Sequence, residues 1–172
     1  MKKLIFIMVV AVIATTSVHA QKKEAAASSQ ANIFSLGLEA ALPLGDFGTV
    51  YSVGIGANAQ VEHKIGESAG ITLNVGYLSY SVKSAYGSGH SAFIPVLAGV
   101  KYYFSPKVYG HGQLGASFAS GSNSSGTYFT YSPGVGFMLS KNFDALVKFV
   151  GISATGSSLN SIALRLAYNF GQ

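Results

Sequence analysis

The chain of 172 residues has no cysteine, no tryptophan and four prolines, and only 10% of its residues are charged. A soluble domain carries roughly 25%. The lack of cysteine excludes a disulfide framework, thiolate metal sites and lipid attachment through an N-terminal Cys. So few charges exclude an acidic or basic disordered tail and a coiled coil. Long apolar runs are missing as well. The longest, Leu4 to Ala14, falls short of the about 20 residues that a membrane-spanning helix needs. Yet 49% of the chain is hydrophobic and the mean hydropathy is +0.38. The apolar residues are therefore dispersed in some pattern other than spanning helices.

Residues 1–20 separate from the rest. Lys2 and Lys3 precede the apolar run, and Val18-His19-Ala20 supplies a small-residue cleavage site. This predicts a secretory signal peptide over residues 1–20. Residues 21–31 are polar, small and low in complexity, and read as a flexible tether. Beyond the leader, nine Lys and Arg face six Asp and Glu, so the net charge falls from +5 to +3. The basic residues stand singly along the chain, which argues against a nucleic-acid partner.

From residue 32 onward the sequence alternates with period two, the signature of strands with two unlike faces. Residues 161–170 show it best: Ile162, Leu164, Leu166, Tyr168 and Phe170 point one way, Ala163, Arg165, Ala167 and Asn169 the other. Seven further segments follow the same rule, at about 32–42, 51–63, 69–82, 92–104, 108–119, 127–140 and 143–154. In residues 51–63, Tyr51, Val53 and Ile55 fall on the bulky face. Segments of this length suit tilted transmembrane strands of roughly 9–11 residues better than soluble strands of roughly 5–6.

The charges Glu39, Glu62, Lys101, Asp144, Lys148 and Arg165 share their face with most of the glycines. The opposite, bulky face must meet something apolar, and lipid is the simplest candidate. The pattern predicts an all-β fold: an eight-stranded antiparallel up-and-down transmembrane β-barrel over residues 32–172, polar inside and apolar outside. Connections at 64–68, 105–107 and 141–142 are short. Those at 43–50, 83–91, 120–126 and 155–160 are mostly longer and rich in Gly and Ser. Such alternation fits short periplasmic turns and longer outer loops, with both termini periplasmic. Phe34, Tyr102, Phe104, Phe143, Tyr168 and Phe170 fit an interfacial girdle. The alternative is a soluble periplasmic ligand-binding barrel, whose bulky faces would point inward.

Three stretches, Pro95-Val-Leu-Ala-Gly-Val-Lys-Tyr-Tyr-Phe104, Tyr109-Gly-His-Gly-Gln-Leu-Gly115 and Leu164-Arg-Leu-Ala-Tyr-Asn-Phe170, resemble the small eight-stranded outer-membrane barrels. These are the OmpX-like and OmpA-transmembrane-domain-like proteins, and above all the outer membrane protein beta-barrel domain of Bacteroidetes-type Gram-negative bacteria. The resemblance implies an outer-membrane location, lipopolysaccharide and phospholipid as neighbours, and the barrel-assembly machinery as a partner during insertion. It also implies that Tyr168 and Phe170 belong to a C-terminal assembly signal.

Glu39, Glu62, Lys101, His111, Asp144, Lys148 and Arg165 form the candidate interior network. Strands one and eight are neighbours in a closed barrel, which predicts Glu39 and Arg165 as partners. An eight-stranded barrel is just wide enough for side chains to fill it. Phe93, Tyr103, Tyr109 and Tyr128 add bulk inside, so a filled interior outweighs a conducting lumen. His90, Ser91 and Asp46 lie at the predicted outer rim, where some barrels of this size carry lipid A-modifying enzymes. No compact spacing makes them a nucleophile–base–orienter set. His111 has no second ligand placed with it, so no metal is expected, nor any cofactor or nucleotide. A peptidoglycan-binding domain is not expected either. The expected function is a non-catalytic structural or surface-interaction role with no identified surface ligand. The alternatives are a narrow channel for ions or small solutes, and a lipid A-modifying enzyme.

Overall fold

The computed structural model describes residues 32–121, 124–154 and 157–170. The expected leader and tether lie outside the described residues. Eight strands run in chain order: β1 Asn32–Leu44, β2 Tyr51–Lys64, β3 Ala69–Val82, β4 His90–Tyr103, β5 Val108–Gly121, β6 Ser124–Met138, β7 Phe143–Ala154 and β8 Ser157–Phe170. Each pairs antiparallel with its sequence neighbour, and β1 pairs with β8 from Phe34↔Phe170 to Leu44↔Asn160. The sheet is therefore a closed barrel, and no strand is left as an edge. Proline leaves its mark on the ladders. Pairing is interrupted beside Pro95, between Val75↔Val96 and Leu78↔Phe93, and beside Pro133, between Tyr131↔Gly151 and Gly134↔Lys148. A residue without an N–H cannot complete a rung.

The period-two alternation sorts inside from outside. Leu38, Ile55 and Leu114 are exposed at 72%, 69% and 61%, while Ala163, Ala167 and Arg165 are buried. The bulky apolar set thus covers the outer wall, which overturns the soluble alternative with bulky faces inward. The interior has two storeys. Toward the longer connections lies an apolar and aromatic cluster that includes Phe47, Leu78, Tyr80, Phe93, Val150 and Ile152. Toward the short turns lie the charges. At the short-turn rim, outward aromatics touch one another: Phe34–Phe170 at 5.8 Å, Phe143–Tyr168 at 5.0 Å and Tyr102–Phe104 at 5.5 Å between centroids.

The ends of the strands depart from the sequence pattern. Instead of a plain loop at 43–50, a six-residue helix α1, Gly45–Val50, forms and drops Phe47 into the mouth of the barrel. Tyr51, expected on the outer face, turns inward, because the β2–β3 register shifts between Tyr51 and Gly54. Its ring lies 4.8 Å from that of Phe47 and its hydroxyl 2.8 Å from Ser91 Oγ. A bulge adds one residue and so exchanges the faces beyond it. The expected connections at 120–126 and 155–160 are mostly strand: pairing continues to Gly121↔Ser124 and to Ala154↔Ser157. Backbone hydrogen bonding carries the hairpins through Ser and Gly that composition alone assigns to loops. The longer-loop rule survives at 45–50 and at 83–89, where Ser84–Tyr86 make a 3-10 turn.

Gly136 sits on the inner wall where an added Cβ would overlap the ring of Tyr109, and that ring is held by a 2.7 Å hydrogen bond to Asp144. Gly112 faces outward, with nothing within 4 Å of a Cβ built there. Gly136→Ala is expected to lower the unfolding temperature of the purified barrel, with a loss of about 1–3 kcal/mol from overpacking. Gly112→Ala should leave it unchanged. Heat-dependent electrophoretic mobility of the detergent-solubilised protein measures both.

Candidate functional site

The interior charges come from strands whose inward parity is set by period-two alternation, so each side chain has no route to bulk water through the wall. Three carboxylates, Glu39, Glu62 and Asp144, face three cations, Lys101, Lys148 and Arg165, and all six are buried. Burying one unpaired charge is prohibitive, so the equal count is the condition for this interior to exist.

Arg165 and Glu39 stand opposite one another in the β1–β8 register, yet they do not form the expected pair. Lys148 Nζ lies 2.9 Å from Glu39 Oε2, and Arg165 Nη1 lies 3.3 Å from Asp144 Oδ1. Long side chains lean along the strand, which carries the guanidinium one inward-facing step toward the short turns. There Nη2 donates to Ser35 Oγ at 2.8 Å. Asn58 joins the two pairs: its Oδ1 accepts from Arg165 Nε at 2.6 Å, and its Nδ2 donates to Glu39 at 3.0 Å. Gly37 makes the room, since a Cβ there would lie 2.8 Å from Arg165 Nε.

Asp144 accepts two further bonds, from Tyr109 at 2.7 Å and Asn169 at 2.8 Å. The third pair, Lys101–Glu62 at 2.8 Å, is backed by the Tyr103 hydroxyl, which donates to Glu62 at 2.8 Å. The Lys101 ammonium also lies 4.3 Å from the centre of the Tyr109 ring, a favourable cation–π placement. His111 Nε2 meets Thr72 Oγ1 at 2.9 Å. The three ion pairs, His111 and the tyrosines thus occupy one continuous stretch of the bore.

Sequence reasoning named all seven titratable members of this set. It missed Ser35, Asn58 and Asn169 as their partners. The available signal was their inward parity close to the charges in register, as in Ser35↔Asn169 and Gly37↔Asn58. Phe47 carried no such signal, since it lies in a connection. At the rim, His90 and Asp46 are both exposed. Among the described residues no hydrogen bond links either of them to the other or to Ser91, and Ser91 Oγ is engaged by Tyr51. No group of three metal-binding side chains forms among the described residues. Tyr168 and Phe170 meet edge to face, 4.7 Å between ring centroids, on the outer wall.

No family model matches the sequence, and no curated protein matches it. The fold does have solved counterparts. The crystal structure of Ail, the attachment invasion locus protein of Yersinia pestis, is similar with a TM-score of 0.60 and 18% identity, covering 82% of this chain and 99% of that one. The N-terminal β-barrel domain of Pseudomonas aeruginosa OprF gives 0.55 and 13% identity over 80% of this chain and 97% of that one. A de novo designed transmembrane β-barrel gives 0.53 and 14% identity over 80% and 95%. The small eight-stranded barrel architecture is thus shared with outer-membrane proteins. At these identities the likeness is one of fold alone, and a fold does not specify an activity.

Arg165 holds three partners at once, so no smaller cation replaces it. Arg165→Met is expected to cost about 3–5 kcal/mol of folding free energy, the usual consequence of leaving a buried carboxylate unpaired. Arg165→Lys should recover only a minor part, because an ammonium cannot reproduce the forked contacts. Denaturant unfolding of the two variants against the parent chain measures this.

Proposed function

We propose that this chain is an integral outer-membrane β-barrel protein of a Gram-negative bacterium, exported by the leader at residues 1–20 and non-catalytic, with a structural or surface-interaction role. The observation that carries the reading is the inverted polarity of the barrel. Leucine, isoleucine, valine and aromatic side chains cover the outside, and six charges are buried within. In water, so continuous an apolar exterior would drive aggregation. In a bilayer it is the required surface, and closure satisfies the backbone groups that hydrocarbon cannot. The similarity to Ail and OprF supports the same environment. On this reading the short-turn rim is periplasmic, the exposed Tyr168 and Phe170 act as the assembly signal read by the barrel-assembly machinery, and lipopolysaccharide and phospholipid surround the wall.

Two independent layers support a closed interior. The aromatic storey crosses the bore at the outer mouth, where Phe47 packs on Tyr80 at 4.8 Å and Phe93 on Tyr128 at 6.5 Å. The ion-pair storey crosses it nearer the short turns. One observation favours the narrow-channel reading instead. Gln60 Oε1, Asn74 Nδ2, Gln113 Nε2 and Ser132 Oγ are buried with no hydrogen-bond partner, and such groups take up ordered water. Water held between two closed layers leaves the barrel non-conducting, and that is the arrangement proposed here.

The native chain contains no tryptophan, so a single introduced one reports its own surroundings. In vesicles of brominated lipid, Leu38→Trp should be strongly quenched and Ser88→Trp, in the second outer connection, should not. Equal quenching at both sites would sink the membrane assignment. In planar bilayers the parent chain should show no single-channel steps. Steps that grow in Phe47→Ala would replace the filled interior with a channel.

A further inference from the structure

The net charge of the described barrel is concentrated at one end. The interior holds three acids and three bases, and the outer mouth balances Asp46 against Lys83. Every remaining charged residue lies at the short-turn rim: Lys64, Lys107 and Lys141 against Glu67. Each of these lysines serves a different turn. None of the three makes an ion pair among the described residues. At the other end, Lys83 Nζ is committed to the Gly48 carbonyl at 2.6 Å, where it ties α1 to the connection that follows β3.

Each rim lysine also stands within three residues of an outward apolar side chain. Ile65 follows Lys64 and is 44% exposed, Phe104 precedes Lys107 and is 65% exposed, and Leu139 precedes Lys141 and is 64% exposed. The ammonium of Lys64 lies 5.2 Å from the centre of the Tyr103 ring, beside a cleft that Glu67, Ser68 and Ser105 also line. Apolar residues in the turns, continuous with the aromatic girdle, hold this rim at the depth where hydrocarbon gives way to headgroups. Lysine stems lie along such a surface and place their ammonium groups at phosphate level. A carboxylate-bearing polymer farther out in the periplasm would instead call for cations on turns free of exposed apolar side chains.

We propose that the short-turn rim is a binding surface for the phosphate headgroups of anionic phospholipids in the adjoining leaflet, with Lys64, Lys107 and Lys141 as its three contacts. The proposal rests on the outer-membrane reading above. It adds that the barrel selects its lipid at one rim only, since the outer mouth carries no surplus cation. Screening by salt follows, because Lys107 and Lys141 are exposed and Lys64 is half-buried at the rim, where mobile ions reach them.

The test uses the full chain refolded into phosphatidylcholine nanodiscs with trace spin-labelled phosphatidylglycerol or spin-labelled phosphatidylcholine. The readout is the motionally restricted fraction of each label. The parent chain should prefer phosphatidylglycerol by about fivefold or more at low salt, the factor that one lysine near an anionic surface supplies. The preference should vanish in 0.5 M salt and in Lys64→Gln/Lys107→Gln/Lys141→Gln, and persist in Lys83→Gln. The salt arm needs no variant, so the proposal stays testable if the triple change impairs folding. Restricted lipid without preference in the parent, or a preference that survives the triple change, overturns the rim proposal and leaves the membrane reading intact. No restricted lipid of either kind overturns the membrane reading itself. Loss of the preference on adding millimolar glycerol phosphate would show a site for free phosphate esters and overturn the lipid assignment. Lysine-dependent co-sedimentation with purified peptidoglycan, without lipid preference, would move the partner to the cell wall and overturn it too.

Discussion

The structure depends on one requirement: a closed wall of strands cuts its interior off from water, so whatever charge lies inside must be neutralised inside. Three carboxylates and three cations meet that requirement, and the manner of pairing sets much of the rest. Asn58 ties Glu39 to Arg165, and Asp144 gathers Arg165, Tyr109 and Asn169. Glycine at positions 37 and 136 is the steric counterpart of these bonds, because the guanidinium and the Tyr109 ring occupy the space a side chain would take. A one-residue slip in β1, β2, β4, β7 or β8 would send its charges into the outer wall. The network therefore specifies register, whatever its net contribution to stability.

The division of the bore into two storeys follows from the same requirement. Charges gather toward the short turns, where tyrosine hydroxyls and amides complete their hydrogen bonds. The half toward the longer connections holds the apolar cluster with its rings, among them Phe47, which belongs to no strand. Packing of Phe47 against Tyr51 and Tyr80 needs both the helix α1 and the register shift that turns Tyr51 inward. A connection, a bulge and an interior cluster are thus one unit. Four unpartnered polar atoms on β2, β3, β5 and β6 mark where side chains stop satisfying one another.

A great deal of this was legible in the amino-acid order. Alternation of Ile162, Leu164 and Leu166 with Ala163, Arg165 and Ala167 determined which face is which, because side-chain direction in a strand repeats every two residues. Eight such segments, with charge confined to one parity, determined an all-β closed sheet with polar contents, and with it the inward position of all seven titratable groups. Only the tertiary structure decided the partners. Glu39 and Arg165 are adjacent in register, as strand order implies, but the reach and lean of their side chains assign them to Lys148 and Asp144. Only the tertiary structure decided the strand ends as well. Ser- and Gly-rich residues near 120–126 and 155–160 pair through their backbones, which composition does not report, and the bulge at residues 51–54 exchanges faces in a way that no periodic pattern contains. Period is a local property of the chain; pairing is a property of residues far apart in sequence, and it exists only once the barrel has closed.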